Sequence, residues 1–221
     1  MDLCFVIDSS GSIRDNNPAD GSYDNYELQL NFLTDLVRAF TIGQDATRVG
    51  AIVFSEQVVL EFALSTYDTA QAINAALIAT PYLGQTTNTP EALLQTRNQC
   101  FTAANGDRPD VSNLAIVVTD GVPFPDNRRG PALDEARALK DSGVTVISIG
   151  ITDNIDLDFL REMSSPPQLE GQNYFTATDF TALNEIQRTV VEGTCTTLEG
   201  NYQNIHMKQK MFKFLNVNHP F

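Results

Sequence analysis

The sequence predicts an α/β fold, a doubly wound, mostly parallel six-stranded sheet with one antiparallel edge strand and helices on both faces. Three observations carry that reading. Short continuous runs of branched and aromatic residues, such as Phe5-Val6-Ile7 and residues 114–119, are too brief for helices and read as strands buried on both faces. Segments with apolar residues at helical spacing separate those runs, and this alternation marks strands joined through covering helices. A close pair of strand-like runs, 49–54 and 58–62, joined by a short turn that includes Glu56, reads as a hairpin and supplies the antiparallel exception.

In chain order, the first strand empties into Asp8, and Gly11 permits the tight turn that follows. Residues 13–22, polar and holding Pro18 and Gly21, read as a loop. Tyr26, Leu30, Leu33, Leu36, Val37 and Phe40 then recur at helical spacing, which predicts a helix over 24–40. After the hairpin, an alanine-rich helix is expected over 68–78. The loop Gly84-Gln85-Thr86-Thr87-Asn88-Thr89-Pro90 leads to a helix over 90–103, with Thr89 as N-cap and Pro90 in the first helical position. Strand 114–119 also ends in an acid, Asp120, before Gly121. A helix over 131–141 closed by Gly143, a strand over 144–149, a short helix over 156–163, a strand over 174–176 and a last helix over 180–191 complete the pattern. It fails from Thr196, so the expected organisation is one domain over 1–195 and a polar, loosely attached extension over 196–221.

Composition removes several classes of function. The chain of 221 residues carries 14 Lys and Arg against 28 Asp and Glu, a formal charge of −14. Nucleic acid and anionic membrane both need a basic footprint, so neither is expected as a partner. No apolar run approaches the length of a bilayer span, and no membrane insertion is expected. No secretory leader precedes the first strand, and Met1 lies almost inside it, which reads as a domain edge. Cys4, Cys100 and Cys195 match no zinc or redox spacing, and His206 and His219 both lie in the extension. Nucleophilic catalysis by a Ser-His or Cys-His pair is thereby removed from the main body.

The candidate functional residues are Asp8, Ser10, Ser12, Thr87 and Asp120, all at strand ends or in loops. Open α/β sheets bind ligands at the carboxyl ends of their strands. Carboxylates and hydroxyls without imidazole or thiolate favour magnesium, calcium or manganese over zinc or copper. Each residue alone has an ordinary alternative, since Ser and Thr after a strand often shape turns and Asp before Gly is a common turn pair. Their joint occurrence after two apolar strands is what singles them out.

These motifs resemble those of the von Willebrand factor type A domain family. Asp8-Ser9-Ser10-Gly11-Ser12 matches the family's D-x-S-G-S signature, Thr87-Asn88-Thr89 lies in its threonine loop, and Thr119-Asp120-Gly121 matches its T-D-G. Arg48-Val49-Gly50 through Phe54-Ser55 and Gly106-Asp107-Arg108-Pro109-Asp110 match as well, so the resemblance covers about residues 2–195. It implies a Rossmann-like domain with a metal-ion-dependent adhesion site. Ser10, Ser12 and Thr87 would be hydroxyl ligands of Mg2+, or of Ca2+ or Mn2+, while Asp8 and Asp120 would act directly or through water. A partner's carboxylate would complete the shell. Neutral direct ligands leave the cation enough positive charge to attract that external carboxylate. Gln85 departs from the family, which often has a second glycine there.

The resemblance further implies a non-enzymatic, secreted, extracellular module. Its expected partner is a matrix or cell-surface protein that presents an Asp or Glu side chain, collagen included. A Cys4–Cys100 disulfide is expected on the same basis. Cys4 lies roughly 13 Å below Asp8 at the strand rise, and Cys100 about 15 Å below Pro90 at the helical rise. The family's strand order brings those two levels together, while two separately buried thiols remain the alternative. Cys195 would lack a partner here, which fits a domain of a larger secreted protein. Two other readings stay open at this point: a structural matrix domain whose metal site is unused, and a haloacid-dehalogenase-like phosphotransferase with Asp8 as nucleophile. The latter needs an acid where Ser10 stands and a later acidic pair where Thr152-Asp153-Asn154 stands.

Overall fold

Strands whose residues are apolar throughout must be covered on both sides, and the computed structural model, which describes residues 1–152 and 155–199, shows how that cover is arranged. The six strands are β1 (Asp2–Asp8), β2 (Arg48–Phe54), β3 (Val58–Phe62), β4 (Asn113–Thr119), β5 (Val144–Ile151) and β6 (Tyr174–Ala177). They form one sheet in the order β3-β2-β1-β4-β5-β6. Only β3 runs antiparallel, paired to β2, and it lies at the edge as the hairpin predicts. The chain builds outward from β1 to β3, returns to β4 beside β1, and builds outward again to β6. Strand order therefore reverses between β1 and β4, where Ile7 is in register with Val118. In sheets of this kind the crevice outside the strand ends at that reversal is where ligands bind.

Side chains alternate across β1 with the period of two that a strand imposes. Leu3, Phe5 and Ile7 enter a core layer with Tyr26, Leu30 and Leu33 of α2 (Asn25–Ala39), Ile73 of α3 (Ala70–Ile78) and Val190 of α7 (Leu183–Glu199). On the opposite face Val6 packs with Leu93 of α4 (Thr89–Gln95), Leu139 of α5 (Arg129–Asp141) and Phe159 of α6 (Leu157–Met163). Cys4 joins Ile52, Leu64 and Cys100 in a smaller cluster. Burying each such aliphatic or aromatic side chain is worth about 1.5–3 kcal/mol. The two layers fix the sheet and hence the height of its strand ends.

Five local expectations differ from the structure. Residues 13–22 are not wholly loop, because Gly11–Asp15 forms a short helix, α1, with Ile13 buried beneath it. Thr89 is the first residue of α4 and not its cap. Asn88 takes the capping position, its carbonyl accepting from the Ala92 amide at 3.1 Å, while its side-chain amide donates to the Glu56 carbonyl at 3.2 Å. The expected 90–103 helix ends as an α-helix at Gln95 and continues as a π-helical turn, Thr96–Cys100, with the Thr96 hydroxyl donating to the Ala92 carbonyl at 2.7 Å. That turn carries Cys100, whose Sγ is bonded to that of Cys4 with Cα atoms 6.5 Å apart. The last helix begins later than predicted, because Asp179 turns the chain by accepting the Thr181 and Ala182 amides at 2.8 and 3.0 Å. It runs through Glu199, past the 195/196 boundary expected for the extension; the rest of that extension lies outside the described residues.

Candidate metal centre

Asp8 ends β1 and Asp120 follows β4, so the two carboxylates meet at the reversal of strand order. Asp8 is fully buried. Its Oδ1 accepts the Ser10 amide at 2.8 Å, and its Oδ2 accepts the Thr119 hydroxyl at 2.6 Å. Ser10 and Ser12 hydroxyls lie 3.1 Å apart, and Ser12 Oγ donates to Asp120 Oδ1 at 2.8 Å. Asn16, just past α1, sends its Nδ2 toward Asp120 Oδ2 at 3.4 Å. One chain of oxygens therefore runs from Ser10 through Ser12 to Asp120, with Asp8 fixed beside it. Thr87, 6% exposed, reaches the same place from the loop before α4, in the wall of a cleft of about 670 Å³ that Ser12 and Gly121 also line. Ser12 and Thr87 thus share one cleft, and Ser10 and Asp120 join it through Ser12, with Asp8 held behind them by the Ser10 amide. Cys4 and Cys100 lie below it in the core.

Neighbouring hydrogen bonds hold the loops in place. Gln29, buried on α2, donates to the Asp8 carbonyl at 2.8 Å and so fixes the end of β1. Ser9 accepts the Leu83 amide at 2.8 Å through its hydroxyl, and its carbonyl accepts the Gly84 amide at 2.8 Å. Gly84 has φ +70°, a conformation that favours glycine. Ser55, at the end of β2, accepts the Gln85 amide at 2.8 Å and donates to the Thr86 carbonyl at 3.0 Å. Gln85 itself accepts the Gly11 amide through its carbonyl at 2.8 Å, so the backbone does the joining and the missing second glycine removes nothing from this contact. Tyr82 donates to the carbonyls of Ser10 and Gly11 at 3.1 and 3.2 Å. Of these positioning groups, Gln29 had a signal in the sequence: an amide on the apolar stripe between Tyr26, Leu30 and Leu33. Thr119 stood inside the T-D-G motif. Asn16 and Tyr82 had none.

Electrostatics make the carboxylates unusual. Burial pushes the Asp8 carboxyl above its ordinary value, against the hydrogen bonds from Thr119 and Ser10 that draw it down. Asp120 is pushed up to about 7, first by burial and then by the charge of Asp8, with the Ser12 and Asn16 hydrogen bonds opposing. Among the described residues, no Lys, Arg or His forms an ion pair with either acid. Buried charges are normally paired or coordinate a metal. The donor set here is two carboxylates with three hydroxyls, which suits a hard divalent cation. No three His, Cys, Asp or Glu side chains converge to hold a metal among the described residues, so a cation at this cleft must draw on the hydroxyls.

The same geometry speaks against Asp8 as a nucleophile, because both of its oxygens are engaged in a fully buried setting. Ser10 cannot serve as the second acid such chemistry needs. Of the segment Thr152-Asp153-Asn154, which stands where that chemistry needs an acidic pair, Asp153 and Asn154 lie outside the described residues.

A family model described as the von Willebrand factor type A domain matches residues 2–189. Matrilin-1 of Gallus gallus is 30% identical over 195 residues, 88% of this chain and 36% of that protein. Cochlin of Mus musculus is 31% identical over 195 residues, 88% of this chain and 32% of that protein. The chain thus spans about a third of the length of these relatives. Among solved structures, proximal thread matrix protein 1 from the mussel byssus, with zinc occupying its MIDAS motif, aligns with a TM-score of 0.74 and 28% identity. The alignment covers 88% of this chain and 45% of that one.

Proposed function

This chain belongs to the von Willebrand factor type A domain family, and from that premise we propose that it is an extracellular adhesion or matrix module that captures an acidic side chain through a divalent cation. The observation that carries the proposal is the pair of buried carboxylates at the strand-order reversal, with no ion-pair partner among the described residues, Asp8 accepting the Ser10 amide and Asp120 the Ser12 hydroxyl, and the two serine hydroxyls in contact. The zinc in the MIDAS motif of the mussel thread matrix protein supports it, as that fold accepts a divalent ion at the corresponding motif.

Ser10, Ser12 and Thr87 would hold the cation through neutral hydroxyls, with Asp8 and Asp120 balancing its charge directly or through water. The bound ion would supply an electrophilic centre for a partner's Asp or Glu. Asp8 orients Ser10 through the amide contact, and Asp120 orients Ser12 through its hydroxyl. Thr119 and Gln29 keep Asp8 from swinging away. Mg2+, Mn2+ and Ca2+ all suit such oxygen donors. The chemistry is reversible capture of a carboxylate.

A pull-down from matrix extract in magnesium, in calcium and in chelator, with the Ser10→Ala/Ser12→Ala variant alongside, tests the reading. A partner band lost both in chelator and in the variant is the expected result. Equal capture in all four conditions contradicts it.

A further inference from the structure

The cleft that Ser12 and Thr87 line has a second wall formed by Val122 and Phe124, and its exposed surface is predominantly apolar. Phe124 is 57% exposed, a large aromatic surface beside a site built from carboxylates and hydroxyls. Its position is fixed by backbone bonds, which a chance surface aromatic need not have. The Phe124 amide donates to the Thr87 carbonyl at 3.0 Å, joining this wall to the loop that carries a candidate ligand. The Phe124 carbonyl accepts from Arg128 Nη1 at 2.9 Å. Arg128 also donates to both Glu56 oxygens, at 3.0 and 2.9 Å, and to the Thr86 hydroxyl at 3.3 Å. Glu56 in turn accepts the Thr86 hydroxyl. Three loops are thereby tied together, and the guanidinium charge is matched by Glu56. What remains for a ligand is an apolar wall one backbone hydrogen bond away from Thr87.

We propose that Val122 and Phe124 form a specificity subsite that selects partners carrying a bulky apolar residue two positions from the captured Asp or Glu. This rests on the metal-dependent capture proposed above. In an extended segment residues i and i+2 face the same way, roughly 7 Å apart. The Phe124 amide bond to the Thr87 carbonyl sets these two loops side by side, within the span of one extended segment that carries both an acid and an apolar side chain. The acid matches the charge of a cation-loaded site, and the apolar residue matches the wall. Because the backbone beneath the wall is already held, its contacts carry a smaller ordering cost.

The test uses two blocked peptides, acetyl-Gly-Glu-Gly-Leu-Gly-amide and the same peptide with alanine for leucine, titrated into the full chain in magnesium and followed by amide NMR shifts. Partial burial of leucine on the wall should make its peptide bind about tenfold more tightly than the alanine peptide. Phe124→Ala should remove that preference, while Ile78→Ala, an exposed apolar change on α3, should leave it intact. Equal affinities for the two peptides, with binding that chelator abolishes, would overturn the subsite and leave the capture reading standing. Binding of neither peptide in magnesium, or equal binding in chelator, overturns both.

Discussion

Replacing Asp120 by Asn should stabilise the metal-free protein above neutral pH and at the same time abolish its response to magnesium. Asp120 is buried beside Asp8, and its carboxyl is raised from 3.8 to about 7. Keeping it ionised is therefore a cost that folding carries. Because the folded value lies above the unfolded one, the favourable contribution of the protonated acid is complete below about pH 4 and lost as pH rises through about 7. Roughly three steps of 1.36 kcal/mol each give a ceiling near 4 kcal/mol, and partial reprotonation of Asp8 lowers this to about 2–4 kcal/mol. Asn keeps the shape and can still accept from Ser12, and the Asn16 amide can rotate to meet it. Urea unfolding in chelator, for wild type and Asp120→Asn across about pH 4 to pH 8, measures the difference. It should be small at the acid end and grow to about 2–4 kcal/mol at the alkaline end, in favour of the variant. In saturating magnesium the order should reverse, since ligand stabilises only the form that binds it. A difference that does not change with pH, or a variant less stable in chelator at alkaline pH, would falsify the claim that burial, with the charge of Asp8, makes the ionised Asp120 costly.

Three further outcomes concern the frame. Asp2 is fully buried and takes Arg108 through Nε at 3.0 Å and Nη2 at 2.6 Å, while Arg108 also reaches the carbonyls of Met1 and Ala46. Arg108→Met should therefore cost about 3–5 kcal/mol in urea unfolding, because it strands a buried charge; a loss below about 1 kcal/mol counts against the pair as a structural tie. A Cβ at Gly50 would stand 2.9 Å from Cys100 Sγ and 3.2 Å from the Phe62 carbonyl oxygen, so Gly50→Ala should destabilise by about 1–3 kcal/mol, read as a lowered Tm. The Cys4–Cys100 bond closes a sequence separation of 96, and the Cys4→Ala/Cys100→Ala pair should lose about 2–5 kcal/mol yet keep its magnesium response. Loss of that response with the fold intact would link the disulfide to the site.

How much was legible beforehand follows from where each residue's partners lie. The strands were readable because β1, β4 and β5 are covered on both faces, which forces nearly every position to be apolar. The edge hairpin was readable because its two runs are close in sequence. Asp8, Ser10, Ser12, Thr87 and Asp120 were readable as a set, each at the end of a recognisable element. Helix α1 was not, since five residues reading Gly-Ser-Ile-Arg-Asp carry no period, and tertiary bonds from Tyr82 and to Gln85 hold its start. Nor was the π-helical turn after Gln95, because a helical register change at Thr96 leaves the local composition unaltered. The tie between Arg128, Glu56, Thr86 and the Phe124 carbonyl joins positions 30 to 72 residues apart or a backbone group with no sequence signature.

In the proposed module the oxygens of Ser10, Ser12 and Thr87 hold a divalent cation. Crystals of the full chain soaked in manganese, examined by anomalous difference density, test it most directly. A single strong peak is expected between the Ser10 and Ser12 hydroxyls with Thr87 facing it, absent from the Ser10→Ala/Ser12→Ala variant. An empty cleft in saturating manganese, or a peak that persists unchanged in the variant, would contradict it.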